Sequence, residues 1–346
     1  MRSLRSRALL LIVVLAALGG ALIVAQTNRT SGQKMAEAAT KLSGTFTAEQ
    51  KKQAVFAFDD EHRTTWYFTP VQENKKSIRK GLRMDGLSAN QKTAMLDLLK
   101  LGLSTKGFEQ ASSIMDLESY LAELEGAGGA MTRNPQWYFV SIFGEPSNTG
   151  KWGWRIEGHH LSVNFTLDKG EVVSATPMVF GVNPAEIKAG PKKGQRVVPE
   201  VEDLAKELIA SLTDDQKKVA AQAKQFGEIQ EKQANATIGD PVGIPAKDLT
   251  ADQKKVLRKL VEAHANRLPD DLAAGEMKKV DAGDFGKVHF GYCIEEQKAG
   301  KPYTYRVQGP SFVIEFLNVQ ADAAKNPGNH IHSGWRSLPK DFALAK

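Results

Sequence analysis

Four of the seven histidines stand in two short clusters, His159-His160 and His330-Ile331-His332. In extended chain, side chains two residues apart project on the same side, with their Cα atoms roughly 6.6 Å apart. That spacing lets the imidazoles of His330 and His332 converge on one ion. Adjacent residues point to opposite faces, so only one of His159 and His160 can join them unless Gly158 forms a bulge. His159 has the parity of Leu161, Val163 and Phe165, an apolar face, whereas His160 has the parity of Ser162 and Asn164. We therefore take His160, His330 and His332 as ligands of one divalent transition metal ion, with His159 as a neighbour that orients a ligand or meets substrate. Three histidines suit zinc, copper or iron about equally. Glu157 and Glu315 are the carboxylates that could carry a proton there, although Arg155 and Arg306 stand ready to pair with them. Arg336, beside Trp335, offers a planar guanidinium for an anionic substrate group or for stacking on the tryptophan.

Other residues carry less. His289 and Cys293 share a strand face but lie about 13 Å apart in extended chain, too far for a common ion, and read as structural. Asp59-Asp60-Glu61-His62-Arg63 reads first as a charged helix end and second as part of a polar cleft. Cys293 is the single cysteine, so no intramolecular disulfide can form. No Walker loop, G-x-S-x-G, H-E-x-x-H, EF-hand loop or paired C-x-x-C occurs, which removes nucleotide, serine-hydrolase and standard zincin readings.

The elements that must position these residues show an internal likeness. Trp152 to Phe165 aligns without a gap on Tyr303 to Phe316, 151 positions on, with three identities in fourteen and six like-for-like exchanges in a strand-forming pattern. The histidines of the first copy fall opposite Pro310 and Ser311, so the repeated scaffold does not need them. Four helix starts share one grammar: Thr47-x-x-Gln50, Ser88-x-x-Gln91, Thr213-x-x-Gln216 and Thr250-x-x-Gln253, each preceded by an apolar residue. The pattern predicts helices at 47–58, 88–101 and 106–125, an extended piece around Trp66-Tyr67-Phe68, and strands at 137–144, 152–167 and 171–180. After a Pro- and Gly-rich connector it predicts helices at 200–211, 214–226 and 250–267, then strands at 286–295, 302–308 and 311–319. The expected fold is α+β, in two pseudo-repeated halves, 46–182 and 200–346, each with helices packed on an antiparallel meander. Residues 183–199 connect them, and 26–45 form a linker or first helix.

Arg2, Arg5 and Arg7 precede an apolar and Gly run from Ala8 to Ala25. Residues 1–25 thus read as a signal peptide or, uncleaved, as an N-terminal membrane anchor, with the rest of the chain outside the cytoplasm. The formal charge is +6, and three of those charges belong to this segment. With Lys and Glu or Asp interspersed elsewhere, no nucleic-acid-binding stripe exists. A composition 41% hydrophobic and 25% charged is that of a globular protein.

Trp66-Tyr67-Phe68-Thr69-Pro70, Lys80-Gly81-Leu82, Trp152 to Ser162, Gly181 to Glu186, Tyr305 to Pro310 and Asn329 to Arg336 together resemble the bacterial domain-of-unknown-function family DUF3500. The resemblance implies that the double-histidine and H-x-H-x-x-W-R segments are family hallmarks and brings no activity with it. Ser337 departs from the pattern, where an acidic residue is expected after the arginine, unless Asp341 takes that role. Three readings stand on the sequence: a metal-dependent enzyme, hydrolase ahead of oxidoreductase, acting on a small-molecule or envelope substrate; a non-catalytic envelope protein that binds a ligand or metal; and histidines that only brace the two halves.

Overall fold

The computed structural model describes residues 29–344. The Ala8–Ala25 run lies outside them, and among the described residues no helix is long and apolar enough to cross a membrane. The helices are α1 (Ser31–Gly44), α2 (Ala48–Ala54), α3 (Ala89–Gly102), α4 (Thr105–Glu125), α5 (Pro199–Ser211), α6 (Asp214–Ala220), α7 (Ala251–Ala265) and α8 (Asp270–Ala282). The strands are β1 (Val55–Phe56), β2 (Gln72–Glu73), β3 (Lys76–Ser77), β4 (Leu82–Arg83), β5 (Phe139–Phe143), β6 (Lys151–Gly158), β7 (Leu161–Asp168), β8 (Glu171–Ser174) and β9 (Met178–Val182). In the second half come β10 (Ile244–Pro245), β11 (His289–Ile294), β12 (Tyr303–Gln308), β13 (Phe312–Gln320) and β14 (His330–Ser337). The fold is α+β.

All four expected helix starts are capping boxes, in which the hydroxyl accepts from the Gln backbone and the Gln side chain reaches back to the cap. Thr30 and Gln33 form a fifth, which starts α1 within the expected linker or first helix. The two glutamines of each half also bond each other, Gln50 with Gln91 and Gln216 with Gln253, and so tie consecutive helix starts together.

Twelve strands form one mixed sheet in the order β1-β5-β6-β7-β9-β14-β13-β12-β11-β10, with β4 on β5 and β8 on β7. The meanders of the two halves are therefore continuous through the antiparallel β9–β14 pair, and β1 runs parallel to β5. Four expectations need correction. The helix expected over 47–58 stops at Ala54, and Val55–Phe56 leaves it as β1 to pair with β5. The segment read as one strand over 152–167 is the β6–β7 hairpin, because Gly158 pairs with Leu161 and the chain reverses at His159-His160. The stretch 171–180 divides into β8 and β9, separated by Ala175-Thr176-Pro177, where a proline has no N–H for the ladder. Helix 214–226 stops at Ala220, after which Ala221 bridges to Tyr292 of β11. Strand β14 and helix α8 had no counterpart in the expected elements.

Alternate residues of the sheet face two different environments. Trp154, Ile156, Leu161, Val163, Phe165, Tyr305, Ile314, Phe316, Ile331 and Trp335 join helix residues such as Leu98, Leu99, Leu257 and Leu260 in the main core. The opposite face carries buried Arg155, Glu157, Asn164, Glu315, His332 and Arg336. It is covered by irregular chain from roughly residues 57–71 and 222–243: Arg155 reaches Arg63 O, Arg306 reaches Ile238 O, and Arg336 reaches Gln230 O and Gln233 O. Backbone carbonyls that regular structure leaves free thus accept from the terminal nitrogens of these buried guanidinium groups. A small second core, Trp66, Phe68, Val179, Ile229, Leu317 and Phe342, seals this side.

Candidate metal centre

The first candidate ligand, His160, stands on a turn. His160 has φ 64°, in the left-handed region that an L-residue enters at a cost and that surrounding contacts must hold. Its N–H donates to Phe68 O at 2.6 Å and its carbonyl accepts from Gly181 N at 2.7 Å, so both sides of the residue are fixed. Gly181 allows this close approach: a Cβ would lie 3.0 Å from both the His160 ring and Ile331 O, so either would have to give way. Gly181 in turn pairs with His332 across the β9–β14 ladder.

The other two candidates come from β14, at the centre of the sheet. Ile331, between them, points into the main core, so His330 and His332 project together from the opposite face. His160 Nε2 lies 2.8 Å from His330 Nε2, and His332 Nε2 lies 3.1 Å from the same atom. Ligand nitrogens of all three fall within 4.8 Å of one another, and these residues could hold a metal ion. Tetrahedral bonds of about 2.0–2.1 Å to one ion place ligand nitrogens about 3.4 Å apart. Small rotations of the rings span that difference.

Surroundings set the proton state. Burial, then the neighbouring His159, His330 and His332, push His160 well below the ordinary histidine range. Burial and His332 bring His330 to about 2. Both rings are neutral at pH 7 and carry a lone pair for a metal. His332 Nδ1 donates to Glu228 Oε2 at 2.9 Å, which leaves Nε2 as its acceptor nitrogen. Burial alone would raise the Glu228 carboxyl, but the His332 hydrogen bond and the Ile229 N–H hold it below the usual range. On His330, the backbone N–H donates to Asn318 Oδ1 at 3.0 Å, and the Asn183 carboxamide lies 3.4 Å from Nδ1. Asn183 Oδ1 is buried without a partner, and turning the amide over aims it at an Nδ1–H.

The remaining expected site residues do not join the cluster. His159 stacks on His160, with ring centroids 3.7 Å apart, but its Nδ1 meets Glu118 and Arg133 on the helical side. Glu157 is buried between Arg79 and Arg155, both at 3.1 Å, and accepts from Tyr67 N. Glu315 pairs with Arg306 at 3.2 Å. Arg336 is 1% exposed, bonds Asp341 at 2.7 Å and stacks over Trp66 rather than Trp335. Asp341 also accepts from Ser337 N, so it supplies the carboxylate that position 337 lacks. His289 bonds Lys287 O and Cys293 is buried on the same strand. The Asp59–Arg63 stretch is a short 3-10 turn capped by Asp60. Glu228, Asn183 and Gly181 had not been assigned a role in the cluster. Gly181 and Asn183 stand within one of the segments that carry the family resemblance, whereas Glu228 lies in irregular chain without a spacing signal.

Fold and site together define an α+β protein with a three-histidine cluster beside the β9–β14 pair in the middle of its sheet. Over residues 28–344 the chain matches the family described as "Protein of unknown function (DUF3500)", and it belongs to that family. No curated protein and no solved structure matches it.

Proposed function

We propose that the protein binds one divalent transition metal ion through His160, His330 and His332. The observation that carries this reading is the convergence of three ring nitrogens from two remote segments, with the far nitrogen of His332 held by a carboxylate. Three imidazole donors would leave a coordination position for water, and a zinc ion so held would bring the pKa of that water to about 7. Hydrolysis of a small-molecule or envelope substrate is the chemistry we assign, with oxidation at copper or iron as its alternative. His330, the one partly exposed ligand, marks the side from which substrate would approach. The burial of His160 and His332, 4% and 6% exposed, favours a second reading in which the ion is held firmly and not used in turnover. Arg2, Arg5, Arg7 and the Ala8–Ala25 run support export, cleaved or tethered.

Elemental analysis of purified protein is the test. About one ion per chain is expected in the wild type, and a background level in His330→Ala and His332→Ala. Equal content in all three would remove the proposal and leave the histidines as buried struts. Turnover of a hydrolytic substrate panel by the loaded protein separates the enzyme from the binding module.

A further inference from the structure

On the helical face of the sheet, opposite His332, one guanidinium is buried without a counter-charge. Arg267 lies in the link between α7 and α8 and is 2% exposed. Its Nη2 donates to Ser333 Oγ at 3.3 Å and its guanidinium lies 4.6 Å from the centre of the Phe180 ring, while Nε and Nη1 find no acceptor among the described residues. Burial brings Arg267 down to about 10, so it is still charged at pH 7. The other buried arginines are better served. Arg79 and Arg155 share Glu157, Arg336 has Asp341, and Arg63 donates to two backbone carbonyls. Residues 1–28 contain no acidic side chain that could reach Arg267 instead.

Its neighbours supply no negative charge. His264 Nδ1 donates to Leu260 O at 3.0 Å, so its Nε2 accepts the Ser333 hydroxyl at 3.1 Å, and the same hydroxyl oxygen accepts from Arg267. Burial and the Arg267 charge keep that histidine neutral. Burial keeps the Tyr305 phenol neutral too, and it donates to Val201 O. Glu200 acts on Arg267 only through space, and its carboxylate is bound to Lys106. Nor is the residue free to move outward: Arg267 O accepts from Ser104 N at 2.8 Å, and a Cβ on Gly107 would lie 2.3 Å from that oxygen, so the start of α4 packs backbone to backbone against it. Helix α4 has 21 residues and no acid in its first turn, and the positive end of its dipole adds to the same potential. Desolvation of a buried cation exceeds what hydrogen bonds to neutral groups return, which is why such cations are paired.

We propose that Arg267 holds a small monovalent inorganic anion of the chloride type inside the protein, between the start of α4, the α7–α8 link and the β9–β14 pair, where it accepts an N–H that the protein leaves unmet. Burial selects a single-atom ion over sulfate or an organic acid. Thermal unfolding of the full-length protein at constant ionic strength, with sodium chloride replacing sodium gluconate, tests it. The melting temperature should rise by about 3 °C or more between about 1 and 100 mM chloride, bromide should act alike, and sulfate should not substitute. Arg267→Met fills a similar volume without charge and should lose the response. His330→Ala, which lacks a metal ligand, should keep it, so the anion site and the metal site fail separately. In crystals grown with bromide, anomalous scattering should place an ion against the Arg267 guanidinium, and this decides the matter if Arg267→Met does not fold. A melting temperature unchanged by chloride, a response retained by folded Arg267→Met, or bromide crystals with no ion at Arg267 overturns the assignment.

Discussion

In the β6–β7 hairpin Trp154 lies opposite Phe165 with ring centroids 4.7 Å apart, and in β12–β13 Tyr305 lies opposite Phe316 at 4.6 Å. The two hairpins flank the β9–β14 pair and turn at opposite ends of β14: Ser311 accepts from Leu338 beyond its last residue, whereas His160 meets its first. One turn is His159-His160; the other, Gly309-Pro310-Ser311, closes with Gly309 N donating to Phe312 O. A hairpin of this kind therefore closes and packs without histidine. What the first turn adds is an imidazole aimed at β14, which is expected of a functional residue placed on a scaffold stable without it.

The widest separation between the hairpins should appear on replacing that imidazole. Asn tolerates the left-handed conformation of residue 160, so His160→Asn keeps the turn and removes the ligand. We expect metal affinity to fall by about 100-fold or more, with the melting temperature of the metal-free protein changed by no more than about 2 °C. Ser311→His, the reciprocal change in the other turn, should add no ion. Metal retained by His160→Asn would show that the hairpins do not differ in the way argued here.

Next in size is the role of the buried carboxylates. Arg155 and Arg306 hold matching places in the two hairpins, but the acid lies on the same strand as Glu157 in one and directly across the ladder as Glu315 in the other. Such an exchange preserves charge pairing and ignores position relative to the histidines. Glu157→Leu and Glu315→Leu should each lower stability by about 3–5 kcal/mol in urea unfolding, because a buried guanidinium loses its partner. Metal content of the folded fraction should stay at the wild-type level. A loss of metal with stability intact would return these acids to the site.

Glu228 has a smaller expected effect and acts on the metal side alone. Glu228→Gln weakens the acceptor for His332 Nδ1–H, and metal affinity measured by chelator competition should drop about 10–100-fold. Wild-type affinity in this variant would mean that His332 is oriented by its ring contact with Phe68, 5.0 Å away, and not by the carboxylate.

How much of this could be read from residues divides along physical lines. Capping boxes were legible because the whole interaction lies within four consecutive residues. Convergence of His160 with His330 and His332 followed from spacing and parity, yet the route was imperfect: the parity argument assumed a strand where Gly158 and Leu161 close a turn. A two-residue reversal between two β-rich runs has few residues to announce it, and His at a positive φ is an uncommon choice. Strand β14 escaped because His330 to Ser337 mixes polar, Gly and aromatic residues, and its pairing with β9 is a contact between halves that no local pattern encodes. Arg336 and Glu157 looked like site residues since charge type is visible in sequence and burial is not.

The finest comparison concerns the helix starts, where the two halves should behave alike. Gln50 and Gln91 exchange amide hydrogen bonds at 3.1 and 2.9 Å, and Gln216 and Gln253 do so at 2.9 and 2.8 Å. Gln91 further donates to Thr45 O and Gln253 to Ser211 O, so each inner glutamine closes the end of an earlier helix as well as the start of its own. Gln91 and Gln253 are buried, at 6% and 4% exposure, and their amides cannot exchange a lost partner for bulk water. A double-mutant cycle, Gln50→Ala with Gln91→Ala, should give a coupling energy of about 1 kcal/mol, and the cycle on Gln216 and Gln253 should agree within about 0.5 kcal/mol. Matching couplings would mean that helix placement is solved identically in both halves and that their difference is confined to the turn histidines. A coupling present in one half and absent in the other would show that the scaffolds themselves differ, and the contrast between the hairpins would lose its control.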